Sequence, residues 1–322
     1  MKSRQEKLKL FILLSQAIGL LVTLLCSFIG ALYIFDGEWL FAFPISIVFV
    51  VAMYYLVIFF CKEKESRRKK GYPPIFYYLF GVYAIMSIIL SFFVLHFYNV
   101  EINEKEEIQQ AGLNKINGVE MIYKSYDSQY NAFVNTLEAG LNKKLTLYKT
   151  NIAQRSAISH ELQANPYRLS AVDITSAINA LSISQSVSNI KKIRINGFLN
   201  NRKKTLARNN SNNDTSYVQF LSDQKDIIEG WDRLSIGKSI SDLNERIVKD
   251  YTSLNDYLTN KTDNNYKIQF DTSNYLGETL MNKPFDLAAK HMGPGTLIIL
   301  LLFQLLILLP YFLTKGKMYG LN

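Results

Sequence analysis

Four stretches of this chain carry almost no charge. Leu10–Phe35 has none in 26 residues, Trp39–Cys61 none in 23, Pro74–Val100 only His96, and Met292–Thr314 none. A helix rises about 1.5 Å per residue, so roughly 20 apolar residues cross a hydrocarbon core of about 30 Å. Each stretch passes that length. Tyr33, Trp39, Tyr72, Tyr98 and Tyr311 stand at their ends, where amphipathic rings settle at headgroup level. A soluble helical core would show a polar residue every third or fourth position, and these windows do not. The pattern predicts transmembrane helices at 10–35, 39–61, 74–98 and 292–314. The first is longer than the apolar region of a cleaved signal and lacks a clean small-residue cleavage site, so it is expected to stay in the protein.

Charge orients the spans. Of a net +9, residues 1–9 carry +3, the loop 62–71 carries +4 and residues 315–322 carry +2. The segment 99–291 holds 24 Lys+Arg against 22 Asp+Glu. The loop reads "CKEKESRRKKGYPP" over 61–74, its cations being Lys62, Lys64, Arg67, Arg68, Lys69 and Lys70. With four spans, the three basic segments share one side, and short cationic segments beside spans stay in the cytoplasm. The expected fold class is a mainly α membrane protein with an elongated helical-bundle extracytoplasmic domain between spans 3 and 4. Its expected parts are a cytoplasmic tail 1–9, three spans within 10–98 with a basic cytoplasmic loop 62–73, the outer domain 99–291, a fourth span 292–314 and a cytoplasmic tail 315–322. The Asn- and Lys-rich composition suits a bacterial inner membrane. Since the basic run marks orientation, it argues against nucleic acid as a partner; attraction to anionic headgroups adds about 1 kcal/mol per nearby charge.

Transport chemistry leaves a mark in the bilayer, because moving charge needs ionisable partners there. The spans offer only Ser15, Gln16, Thr23, Ser27, Ser46, Ser87, Ser91 and Gln304, with His96 expected as a water-facing imidazole at the edge of span 3. Gln16 and Gln304, with small residues four apart, read as helix-packing positions.

In the outer segment, Ile116, Val119, Tyr123, Tyr126, Tyr130, Phe133 and Leu137 recur at alternating spacings of three and four, and Leu141, Leu145, Tyr148 and Ile152 continue the stripe. That is a heptad pattern with a stutter. It predicts one long helix over Glu104–His160, about 85 Å at 1.5 Å per residue. A second stripe, Ile236, Ile240, Leu243, Ile247, Tyr251, Leu254 and Leu258, is available as its partner within the chain. An intrachain bundle is therefore favoured over a coiled coil between subunits. Ser239 with Asp242 suggests an N-cap for the second helix, and Ser170 with Asp173 one for a helix over 171–190. Residues 264–275 alternate enough for a short strand, with Ile193–Ile195 a possible partner. The run 282–295 reads as an amphipathic approach to the last span, broken by Gly293-Pro294-Gly295.

Known catalytic patterns fail on single residues. His160-Glu161 lacks the second histidine, since Ala164 stands there, and Gly237-Lys238-Ser239 lacks the upstream glycine, since Asp232 stands there. Cys26 and Cys61 both fall in spans, so no thiolate site forms outside the bilayer. No catalytic residue, cofactor or metal ligand is expected. The remaining signal is a basic cluster, Lys191, Lys192, Arg194, Arg202, Lys203, Lys204 and Arg208, a candidate docking surface. The sequence thus points to a non-enzymatic membrane scaffold or assembly component of a cell-envelope complex, in contact with lipid bilayer and other envelope proteins and open to homo-oligomerisation. The alternatives are a sensor whose bundle passes a signal to a partner protein, or an oligomeric pore.

Overall fold

In a computed structural model of the protein, residues 2–66, 74–164, 166–180, 182–191, 217–262, 265–277 and 279–313 are described. The described elements are all helical. They are α1 (Lys2–Ile34), α2 (Trp39–Ser66), α3 (Pro74–Tyr98), a π-helical segment Asn99–Glu104, α4 (Lys105–Thr150), α5 (Arg155–Gln163), α6 (Ala171–Asn179), α7 (Ile183–Ile190), α8 (Tyr217–Glu229), α9 (Ile236–Lys261), α10 (Pro284–His291) and α11 (Pro294–Leu313), with short 3-10 turns at Ile152–Gln154, Thr272–Asn274 and Leu280–Asn282. Among the described residues, four helices are long and apolar enough to cross a membrane, namely α1, α2, α3 and α11. The chain divides into two compact units. The first comprises residues 1–112, 227–241 and 278–322, and the second 113–226 and 242–277.

In the first unit the spans pack as lipid-embedded helices do, through small residues and sparse polar bonds. A Cβ on Gly30 of α1 would come within 2.1 Å of the Phe93 carbonyl oxygen on α3, so only glycine permits that approach. Gln304 of α11 donates to Ser91 Oγ of α3 at 3.0 Å, the inter-helix role its sequence position suggested. Their other faces expose Leu, Ile and Phe side chains, Ile85 and Ile88 among them. Beyond the span ends lies a second apolar core of Tyr33, Val100, Ile108, Trp231, Ile236, Ile240, Met281 and Leu287. It fastens the segments 227–241 and 279–291 to the ends of α1 and α3.

The second unit is built on the two predicted stripes. Ile116, Val119, Tyr123, Tyr126, Tyr130, Phe133, Leu137, Leu141 and Leu145 on α4 are all buried, as are Leu243, Ile247, Leu254 and Leu258 on the part of α9 in this unit. Tyr123 on α4 donates to Asp250 Oδ2 on α9 at 2.7 Å, so the pairing is intrachain. The predicted helix to His160 instead stops at Thr150. Asn151 takes extended backbone (φ −114°, ψ 95°), and Arg155 turns back to donate to the carbonyls of Tyr148 and Lys149. Those carbonyls lie in the last turn, where no intrahelical donor follows. The expected helix over 171–190 is two, α6 and α7. Ser170 and Asp173 form the foreseen capping box, and Ser182 caps α7.

Two local expectations fail. Ser239 is not the cap of α9 but a buried residue inside it, because the helix starts a turn earlier at Ile236, where Asp232 accepts from Leu234 N and Ser235 Oγ. Residues 265–271 form no strand; Ile268 N and Gln269 N instead donate to the side chains of Asn255 and Ser125. The proposed partner Ile193–Ile195 lies outside the described residues.

Candidate functional site

The most elaborate polar construction in the first unit surrounds the exit of α3. There the helix widens for one turn, Asn99–Glu104, before resuming as α4. Such π turns place an extra residue in the turn and recur at functional positions. Here the turn carries two carboxylates that meet different parts of the chain.

Glu101 has a side chain only 8% exposed. Its Oε1 accepts from Tyr33 Oη at 2.5 Å, from Trp231 Nε1 at 3.0 Å and from Arg233 Nε at 2.8 Å, while Oε2 accepts from Arg233 Nη2 at 3.0 Å. Arg233 thus grips the carboxylate with a two-pronged fork, the strong geometry for this pair. Burial alone would raise the Glu101 pKa; the bonds from Arg233, Tyr33 and Trp231 outweigh it and hold the carboxyl below its ordinary value.

Trp231 reaches Glu101 from an unusual backbone. It sits at φ 51°, in the left-handed region, just past the end of α8. Trp231 N bonds Ile228 O and Asp232 N bonds Ile227 O, the paired bonds of a Schellman ending in which glycine usually holds the left-handed position. Gly230 stands one residue too early for that role. A bulky residue in this region carries a conformational cost that its surroundings must offset. The indole's bond to Glu101, the apolar core around it and the Lys105 ammonium 5.3 Å from its ring centre do so.

Glu104, 2% exposed, receives Lys290 Nζ at 2.7 Å and is bonded by His291 Nε2, so the C-terminal end of α10 is tied to the same turn. Burial pushes its carboxyl up and the Lys290 and His291 bonds pull it down by more, leaving a net depression. Three further bonds complete the collar. His96 Nε2 meets Met281 O at 2.8 Å, Asn99 Nδ2 donates to Leu287 O at 3.5 Å and Gln109 Nε2 to Ile228 O at 2.9 Å. His96 is therefore a buried connector, 1% exposed, rather than the water-facing imidazole expected. The turn after α1 makes a fourth attachment. Gly37 (φ +82°) and Gly237 approach so closely that a Cβ on either would come within 3.0 Å of the other segment's backbone.

The second unit holds two buried polar centres. Lys115, 1% exposed, donates to Asn244 Oδ1 (2.7 Å), Tyr275 O (2.9 Å) and Gly277 O (2.8 Å), which uses all three ammonium hydrogens. Asp250 accepts from Tyr123 Oη and from Arg246 Nε at 2.6 Å, and Arg246 stands over the Phe220 ring. Burial lowers the Lys115 pKa and raises that of Asp250, the latter in spite of Arg246. A shallow cleft of about 280 Å³ between α6 and α7 is lined by Asp173, Ser176, Ser186 and Asn189 among others. Among the described residues no group of three or more His, Cys, Asp or Glu could hold a metal ion.

Of the sequence-predicted docking cluster, Lys191 is described, and its ammonium is paired with Glu138 Oε2 at 2.5 Å. Lys192, Arg194, Arg202, Lys203, Lys204 and Arg208 lie outside the described residues. Of the orientation signal, Lys62 is exposed, Lys64 donates to the Tyr311 carbonyl, and Arg67, Arg68, Lys69 and Lys70 lie outside the described residues. Sequence reading placed Trp231 as an upstream extension of the second apolar stripe and Glu104 at the start of the long helix, but gave no site role to Glu101, Glu104, Trp231, Arg233 or Lys115. The only local sign was two carboxylates in the first turn beyond an apolar span.

The chain matches no protein-family model, no curated protein and no solved structure.

Proposed function

We propose that this protein is a non-enzymatic integral membrane scaffold or assembly component of a cell-envelope complex, with the helical segment between spans 3 and 4 outside the cytoplasm and used for docking other envelope proteins. The observation that carries this reading is the use made of the collar's polar groups. Glu101 and Glu104, the carboxylates best placed for chemistry at the membrane surface, are each bonded to side chains that bind chain segments together. Such bonds hold position, and they commit both carboxylates to joining segments of the chain. The charge distribution supports the sidedness, since the cation-rich segments flank spans and the outer segment is nearly neutral.

One feature favours a sensor as the second reading. Helical residues run from Pro74 to Thr150 without a break, and the π turn at 99–104 lies within them. π turns recur at functional positions, and a two-state element there could pass a shift into span 3 toward a partner protein.

The test is photocrosslinking from exposed positions of α4 and α9 in cells, with and without replacement of Lys192, Arg194, Arg202, Lys203, Lys204 and Arg208 by Gln. Lys191 is left intact because Glu138 needs it. The scaffold reading expects one or two stoichiometric partners that the replaced protein loses. It fails if no position crosslinks to another protein, and then a ligand that raises the melting temperature points to the sensor, or ion flux through the purified protein in liposomes to a pore.

A further inference from the structure

We infer that α10 is an interfacial membrane helix: it lies in the headgroup region of the leaflet beside the outer end of α3, with Phe285 and Ala289 in contact with lipid. The inference rests on reading α3 as a membrane span but not on which side of the membrane the helix lies.

Residues of a helix follow one another at roughly 100° about its axis. On that wheel six of the eight residues of α10 fall into three adjoining sectors. Leu287 and Ala288 are buried, and Asn99 reaches the Leu287 carbonyl, so that sector faces the protein. Phe285 and Ala289, four apart and both exposed, form a second, wholly apolar sector. Asp286 and Lys290, also four apart and exposed, form a third, polar one. A helix in the interior needs only a protein sector, and one on a water-exposed surface needs protein and water. A separate apolar sector between them is what a helix at a lipid–water boundary requires.

The depth of the apolar sector is set by its neighbour. The Phe285 ring packs on Phe92 with centroids 4.9 Å apart, although Phe285 itself is 76% exposed. Phe92 belongs to α3, six residues before that helix ends at Tyr98, so it lies roughly 9 Å inside the span at 1.5 Å per residue. It also continues the face of α3 that exposes Ile85 (61%) and Ile88 (69%), three and four residues apart in sequence order. Those two side chains are apolar and open along a helix of membrane length; lipid is what covers them. Phe285 extends the same surface without interruption, and a phenyl ring at that place meets acyl chains and glycerol backbone. On the opposite edge, Lys290 reaches Glu104 and Glu107 at the start of the watery side. The Gly293-Pro294 break that follows then lets the chain turn from a path along the surface into the span α11.

A bilayer interface, rather than a second protein, covers this sector, and site-directed spin labelling separates the two. Single cysteines replace Phe285, Ala289, Asp286 and, as a reference, Ile88 in full-length protein carrying Cys26→Ala and Cys61→Ala. Each carries a nitroxide label and is reconstituted into phosphatidylcholine vesicles with no other protein. Collision with oxygen, which concentrates in lipid, is compared with collision with a water-soluble nickel chelate. The expected result is oxygen accessibility several-fold above that of the chelate at Phe285→Cys and Ala289→Cys, and the reverse at Asp286→Cys. Chelate accessibility equal to or above oxygen at either 285 or 289 overturns the inference. Poor accessibility to both reagents at either site also overturns it, in favour of contact with a second copy. Ile88→Cys must read as lipid. If it reads as water, the spanning assignment of α3 fails, which is a different failure from a water-like α10 beside a lipid-like Ile88.

Discussion

Replacing Glu101 by alanine removes one acceptor that Tyr33, Trp231 and Arg233 share. Tyr33 is 0% and Trp231 6% exposed, so neither donor can turn to water without opening the collar. A buried donor left without a partner costs about 1–3 kcal/mol, which gives about 2–6 kcal/mol for the two together. Arg233 adds little, because its side chain is 53% exposed and its charge is readily rehydrated. At about 1.4 kcal/mol per factor of ten, amide protection across Ile227–Ser241 should fall by about 30-fold or more. Hydrogen exchange read by mass spectrometry on the full-length protein in nanodiscs measures this directly, since local opening sets the exchange rate. Glu101→Gln keeps a carbonyl acceptor for the phenol and indole but loses the charge and the oxygen that Arg233 Nη2 bonds. It should lower protection less than Glu101→Ala. A change below about threefold for the alanine variant, or a larger loss for glutamine than for alanine, would refute the reasoning.

Lys115→Met leaves Asn244, Tyr275 and Gly277 without their shared donor but relieves the burial of a charge. The net expected loss is about 2 kcal/mol, a fall of about 5 °C in the melting temperature followed by circular dichroism. Gly30→Ala sets a methyl against the Phe93 carbonyl and must part α1 from α3, so detergent melting should fall, whereas Gly81→Ala, with nothing within 4 Å, should not lower it. The collar should also weaken in acid. Glu101 and Glu104 are both held below the ordinary 4.5, so their contribution is complete above that value and is lost as pH falls through their lowered values. Exchange protection over 227–241 and 284–291 should thus be level from neutral pH down to about 5 and drop further down; a loss centred near pH 7 would contradict the assignment. Asp250 has the opposite sign: raised above 3.8, it favours the folded state most when protonated, and cannot be the source of that acid loss.

The spans and the two long stripes were legible because their signals are local and repeated. A run of 26 uncharged residues states its environment by itself, and nine stripe positions on one face state a helix several times over. The break at Asn151 was not legible, because nothing in the stripe ends there; Ile152 even continues the apolar spacing, yet it is 75% exposed. Past the extended Asn151, Arg155 reaches back to two carbonyls of the last turn, and sequence spacing does not show where a side chain turns. The collar was illegible for a stronger reason. Glu101's partners lie 68, 130 and 132 residues away, and His96's lies 185 away. No window reading joins positions so distant. Trp231 shows the same limit in the backbone, since tertiary bonds put an indole where local preference would put glycine.

The placement of the long middle segment across the membrane from the basic loop is tested most directly by cysteine labelling in intact spheroplasts. In full-length protein with Cys26→Ala and Cys61→Ala, Asn135→Cys lies at an exposed position of α4 and Lys7→Cys at an exposed position near the start of α1. A membrane-impermeant maleimide should label Asn135→Cys at once and Lys7→Cys only after lysis. Labelling of Lys7→Cys in sealed cells, with Asn135→Cys protected until lysis, would reverse the topology and remove the basis for docking outside the cytoplasm.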